Sequence, residues 1–244
     1  DVAPMQALAA RVREDESAAA REAALHALVR LAGRGDRTAA NAASRALEDA
    51  SPQIRRAAVL ALGSLAPKGD SAAVSAVAAL LADRSPEVRR AVLETLEQLA
   101  ARGDSLLVAT VALHLGNVYG QVRRAAVVAL GRLAGSGNAA AISELLAHLG
   151  DSNRGVRKAA VMSLGRLVET GNMAVIAAIT THLGDPSWEV CKAAMSTLEL
   201  LMNREAAHGK AAKKRPSRPR CATTRMRRPR TRWSRLTWAT ERAF

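Results

Sequence analysis

Apolar residues return along this chain at two spacings at once. At short range they follow helical steps. Within residues 52–66, Ile54, Ala58, Ala61, Leu62 and Leu65 fall on one stripe, and Arg56, Leu60 and Gly63 fall opposite. At long range the whole pattern recurs every 34 residues: Ile54, Val88, Val122, Val156 and Val190 form one column. Leu28, Leu62, Leu96, Leu130, Leu164 and Leu198 form a second, and Leu31, Leu65, Leu99, Leu133, Leu167 and Leu201 a third. Several columns sharing one step over five intervals define a tandem array.

Each unit holds two helical patterns with their own punctuation. Ser51-Pro52 and Ser85-Pro86 predict helix starts, with the Ser oxygen serving free N–H groups of the first turn and Pro tolerated where no donor is needed. Gly69 and Gly103 predict helix stops, and Asp70 and Asp104 then predict caps for the helices that follow. In the first-helix pattern at 72–83, Val74, Val77, Leu80 and Leu81 share a face. A helix pair of this size cannot bury its stripe alone, so six stacked pairs are expected to share one core. The fold class this predicts is all-α, an α-solenoid. Only 2% of the chain is aromatic, which suits it, and the Ala57, Ala91, Ala125, Ala159 and Ala193 column is expected to let neighbouring helices approach closely.

The units resemble HEAT repeats: an acidic residue in the turn between the helices, Pro near the start of the second, then an apolar–Arg pair. Asp15, Asp49, Asp83, Asp151 and Asp185 stand six residues before Arg21, Arg55, Arg89, Arg157 and Cys191, and Asn117 stands six before Arg123. The resemblance covers about residues 3–206, in units near 3–36, 37–70, 71–104, 105–138, 139–172 and 173–206. It implies a right-handed solenoid in which Asp49, Arg55, Asp83, Arg89, Asn117, Arg123, Asp151 and Arg157 belong to a ladder linking successive repeats. Two departures stand out: Asn117 weakens one rung and Cys191 removes the Arg from the last. A C-terminal end less tightly bonded than the rest is the expectation.

A second basic column, Arg56, Arg90, Arg124, Lys158 and Lys192, points away from the apolar stripe. In HEAT arrays the second helix lines the concave face, so this column, with Glu94 among it, is the candidate partner-binding surface. Charge of both signs nearby (Glu94, Glu97, Glu169, Glu199) favours a protein partner over nucleic acid. His114, His148 and His182 form a column as well, but helices packed about 8–10 Å apart cannot simply share a metal between three such side chains. Deoxyhypusine hydroxylase, a HEAT-type enzyme, carries His-Glu pairs, and no His here is followed by Glu. Tyr119 and Trp188 are the only aromatics of the array, which offers no aromatic-lined cleft of the kind a phycobilisome lyase would need. The Arg-Gly-Asp triplets at 34–36 and 102–104 fall at the capping turns between units. No Walker loop, nucleophile elbow, dinucleotide glycine pattern or H-E-x-x-H is present. No catalytic, metal or cofactor site is expected, and the preferred reading is a non-catalytic scaffold, a monomeric array that binds protein partners.

Charge divides the chain in two. Residues 1–206 carry 23 Lys and Arg against 21 Asp and Glu, while residues 207–244 carry 13 against the single Glu241. The C-terminal stretch, with its prolines and no apolar period, is expected to be a disordered basic tail. It reads as an electrostatic arm for nucleic acid, with Trp233 and Trp238 placed for stacking, or as a GC-rich gene translated out of frame. Cys191 and Cys221 form no CxxC pair, so a reducing compartment, cytoplasmic or nuclear, is expected. No apolar run reaches membrane-spanning length, and no membrane insertion is expected. Asp1 in place of Met leads to the expectation that the natural N-terminus lies upstream.

Overall fold

A computed structural model describes residues 2–169 and 172–212. Every regular element among them is helical, and the helices fall in pairs: α1 (Val2–Glu14) with α2 (Ala18–Leu31), α3 (Arg37–Ala46) with α4 (Pro52–Leu65), and α5 (Ser71–Ala79) with α6 (Pro86–Leu99). The series continues with α7 (Ser105–Ala112) and α8 (Gly120–Leu133), α9 (Ala139–Ala147) and α10 (Arg154–Leu167), then α11 (Met173–Thr181) and α12 (Trp188–Ala212). The pairs are called units one to six below. The α12 helix runs through Ala212, into the stretch that the sequence pattern assigns to the tail. The rest of that tail, with Trp233, Trp238 and Cys221, lies outside the described residues.

One core runs the length of the array. Ile54, Val88, Val156 and Val190 are sealed from solvent, as are Leu28, Leu62, Leu96, Leu130, Leu164 and Leu198. Each such side chain stabilises the fold by about 1.5–3 kcal/mol through removal of apolar surface from water. Leu31 departs from its column at 65% exposure. Its counterparts Leu65, Leu99, Leu133 and Leu167 lie under the turn of the preceding unit, whose Gly35, Gly69, Gly103 or Gly137 N–H donates to their carbonyls at 2.7–2.8 Å. Leu31 belongs to the first of the described pairs, and among the described residues no such turn lies above it.

Those glycines have a different task from the one their spacing suggests. The α4 and α6 helices have already ended at Leu65 and Leu99, and Gly69 and Gly103 sit in the following turns at φ +81° and +82°. Only there can the turn aim an N–H at the next unit without a Cβ penalty. Asp70 and Asp104 cap the following helices as expected, accepting from Ala72, Ala73, Leu106 and Leu107 N–H groups. Ser51 and Ser85 occupy the N-cap position but make no side-chain cap. Asp49 and Asp83 instead accept the N–H of these serines at 2.8 and 2.7 Å.

Close helix approach comes from a column that the stripe analysis placed on the open side. Gly63, Gly131 and Gly165 are buried, each facing a hydroxyl-bearing residue of the next second helix: Thr95, Ser163 or Thr197. The hydroxyls of Thr95 and Ser163 donate back to the Val59 and Val127 carbonyls at 3.4 and 3.1 Å. The second helices thereby pack side by side more closely than the first helices α5, α7, α9 and α11 do among themselves. The exception in this layer is α6 against α8, the thinnest contact between successive second helices.

Candidate functional site

Two rows of cations follow the second helices, one built into the fold and one free of it. The built-in row starts from Arg21, Arg55, Arg89, Arg123 and Arg157 at the first turns of α2, α4, α6, α8 and α10. In each, one guanidinium N–H donates to the backbone carbonyl six residues earlier, from Asp15, Asp49, Asp83, Asn117 and Asp151, at 2.6–2.9 Å. Four of the five use the remaining fork on the acidic residue of the next unit. Arg21 holds Asp49 (2.8 and 3.0 Å), Arg55 holds Asp83 (2.7 and 3.0 Å), Arg123 holds Asp151 (both 2.7 Å) and Arg157 holds Asp185 (2.7 and 2.8 Å). Bidentate geometry of this kind satisfies both charged groups in one plane.

The carboxylates respond accordingly. The Arg123 bond, joined by the Asn153 N–H, holds Asp151 below the usual carboxylate range against the effect of burial; Asp185 is held low by Arg157 in the same way. For Asp49 and Asp83 burial is the largest influence and pushes upward, but the arginine and backbone bonds together outweigh it.

The rung from unit three to unit four is missing. Asn117 stands where the others have a carboxylate, and its Oδ1 is engaged by the Tyr119 N–H at 2.9 Å. The other end of the amide is a donor, with nothing to offer a guanidinium. Arg89 therefore keeps its bonds to the Asp83 and Arg84 carbonyls and has no fork. Burial lowers its pKa from the ordinary arginine value, Asp83 works against that, and the charge of Arg124 adds to it. At the other end of the array, Cys191 replaces the arginine and its Sγ donates to the Asp185 carbonyl at 2.9 Å. The rung into that unit is intact, and α10 packs closely on α12. The looser junction is thus central, not C-terminal as the sequence departures suggested.

Other inter-unit links fail at the same junction. His148 and His182 bridge units through the Leu115 and Leu149 carbonyls at 3.2 and 2.9 Å, which gives that column its structural role. His114 makes no such bridge, and burial lowers its pKa. Glu97 and Ala129 replace the Gly and hydroxyl pair, and Glu97 instead takes a fork from Arg132 on the surface, both bonds at 2.7 Å.

The free row is Arg56, Arg90, Arg124, Lys158 and Lys192, all exposed except the half-buried Lys158. Lys158 pairs with Glu189 at 3.0 Å. Arg124 crosses over Gly155, whose missing side chain leaves it room. Glu94 lies exposed beside this row on α6. The first Arg-Gly-Asp triplet is consumed by the fold: Arg34 donates to the Gly63 and Ala66 carbonyls and Asp36 caps α3. An open cleft between α1 and α3 is lined by Arg13, Thr38, Asn41, Arg45, Glu48, Asp49 and several alanines. Among the described residues no three His, Cys, Asp or Glu side chains converge on a metal-sized site, and no helix is long and apolar enough to cross a membrane.

Paired helices, a continuous core and repeated inter-unit bonds define the class as an α-solenoid. The sequence pattern of HEAT repeats matches residues 5–97, 44–116 and 109–199, and the chain belongs to that family. No protein of curated function matches it. Among solved structures, Cex1p is similar over 86% of this chain and 44% of its own, with 15% identity and a TM-score of 0.57. A designed armadillo repeat protein in complex with the peptide (KR)4 covers 81% of this chain and 99% of its own, at 19% identity and a TM-score of 0.51. The archaeal HEAT-like repeats protein of Thermococcus onnurineus NA1 covers 84% and 89%, at 15% identity and a TM-score of 0.50. At these identities the likeness is one of fold.

Proposed function

We propose that the chain is a non-catalytic scaffold that holds segments of partner proteins along the inner face of its second helices. The observation that carries this reading is the free basic row, which runs through five successive units with no role in holding the fold together apart from the Lys158–Glu189 pair. An extended segment laid across a solenoid meets one side chain of such a row per unit, and variation between units (Leu60, Glu94, Val128, Met162 and Ser196 in one column) supplies selectivity. The designed armadillo protein bound to (KR)4 is a solenoid of similar fold holding a basic peptide. Here the row is cationic, and the fitting segment is acidic.

The test replaces Arg90, Arg124 and Lys158 by Glu in the full chain and compares capture of lysate proteins with the unaltered chain, with and without nuclease. The expected result is a defined set of proteins that survives nuclease and falls at least tenfold with the triple substitution. A second reading rests on the 13 basic residues beyond position 206: a nucleic-acid-associated protein that binds through its tail. Under it, nuclease empties the unaltered chain, and removing residues 213–244 abolishes capture.

A further inference from the structure

The vacancy on Arg89 and an unusual apolar surface occur in the same place. In the turn of unit four, Leu113, Val118 and Tyr119 are 81%, 83% and 65% exposed. The equivalent residues in neighbouring units are small or polar: Ala79 and Ala147 for Leu113, Arg84 and Ser152 for Val118, Ser85 and Asn153 for Tyr119. None of the three large side chains is needed to form the turn, because the other units form it without them. Large exposed apolar groups gathered in one turn mark interaction surfaces. Asn117, which leaves Arg89 without a carboxylate, lies between them in the chain.

We propose that the missing rung is completed by a partner: Arg89 takes the carboxylate of an acidic side chain from another protein, while Val118, Tyr119 and Leu113 pack apolar side chains flanking that acid. Four arginines of the same row show the geometry that Arg89 offers, a coplanar fork closing on carboxylate oxygens at 2.7–3.0 Å. The fork is not sealed: among the described residues no side-chain nitrogen or oxygen is both buried and without a partner, so Nε and Nη2 of Arg89, which make no hydrogen bond, keep some contact with solvent. The surroundings favour an acid, since the charge of Arg124 acts on Arg89, Arg90 follows it in the chain, and Asp83, the carboxylate that also acts on Arg89, is already engaged by Arg55. The occupant is thus an acidic segment with apolar neighbours. This anchor lies at the turn edge, and it rests on the scaffold reading in taking protein segments as the partners.

The substitution Asn117→Asp tests it, because it supplies the carboxylate from within. Random twelve-residue peptides displayed on phage are selected on the unaltered full chain, and the recovered sequences are synthesised and titrated against the unaltered chain, Asn117→Asp and Tyr119→Ser. The expected peptides carry Asp or Glu within two residues of Leu, Phe or Trp. Their affinity falls at least tenfold on Asn117→Asp, a change that raises the melting temperature, so unfolding does not explain the loss. Replacing the peptide's acid by its amide is expected to erase the difference between the two proteins, and Tyr119→Ser to weaken binding severalfold. The basic tail is the same in every variant and cancels. Equal binding to Asn117→Asp overturns the proposal. So does recovery of peptides without an acid, a dimer of the chain that Asn117→Asp dissociates, or single-stranded DNA whose binding is the one that Asn117→Asp removes. If the Arg90, Arg124 and Lys158 reversal empties the chain while Asn117→Asp does not, the scaffold reading stands and this anchor fails.

Discussion

A single atom type decides each rung of the ladder. Asp151 accepts the Asn153 N–H and one Arg123 N–H on Oδ1, and the other Arg123 N–H on Oδ2. Asn117 has an NH2 donor where the second carboxylate oxygen would stand, and Arg89 is left without a fork. Asp151→Asn is therefore expected to cost about 2 kcal/mol, since it strands a half-buried guanidinium. That is about 4–8 °C in melting temperature for a chain of this size. The sign with pH follows from the same bonds. Asp49, Asp83, Asp151 and Asp185 are all held below the unfolded carboxylate value of about 3.9, so their stabilisation is complete above about pH 4. It is lost as the pH falls through their lower folded values. Thermal melts between about pH 2.5 and 7 are expected to show a flat upper range and an acid loss that is shallower in Asp151→Asn. The Asp and Arg columns and the Asn117 exception are visible in the sequence. Which arginine loses its partner is not, because the fork reaches forward into the next unit while the chain neighbour of Asn117, Arg123, keeps its own.

At the scale of the helix, small residues matter more than large ones. An added Cβ on Gly131 meets the Ser163 side chain and comes within 2.9 Å of its Cα, and one on Gly165 comes within 2.5 Å of the Thr197 methyl. A backbone neighbour cannot rotate away, so Gly131→Ala is expected to cost about 2–3 kcal/mol despite the better helix propensity of Ala. Gly116→Ala, where the new Cβ meets nothing within 4 Å, is the control and is expected to change stability by less than about 0.5 kcal/mol. Urea unfolding of the two variants side by side checks both. The apolar stripe of each second helix could be read from helical spacing, because burial of Leu and Val sets that period. Gly63 could not, because absence of a side chain gives no period of its own. Its column looks like the open side of α4 until the next helix is laid against it. The serines before Pro52 and Pro86 misled for a related reason: their N-cap position is correct, but the neighbouring aspartate supplies the oxygen.

For the whole array, the links between units set how far unfolding spreads. A solenoid with equal interfaces melts as one, whereas one weak interface divides it into two cooperative blocks. The junction of units three and four lacks the carboxylate rung, the histidine bridge and the glycine–hydroxyl approach. It keeps the Gly103 N–H to Leu133 bond and gains the surface pair of Arg132 with Glu97. A half-exposed pair of this kind contributes at most about 1 kcal/mol and is screened by salt. Hydrogen exchange in mild urea is therefore expected to resolve two blocks, α1–α6 and α7–α12, with the amides of α6 and α8 among the least protected of the second helices. Raising salt from about 0.05 M to 0.5 M widens the separation, because it weakens the side-chain ion pair that spans the junction. Asn117→Asp narrows it by restoring the fork on Arg89. Uniform protection across α2 to α12, unmoved by either change, means that the shared apolar core alone carries cooperativity through the centre. An acidic partner segment seated on Arg89 acts on this junction as Asn117→Asp does, so its binding is expected to raise the protection of α6 and α8 together. In that case a docking event at one turn stiffens the whole solenoid.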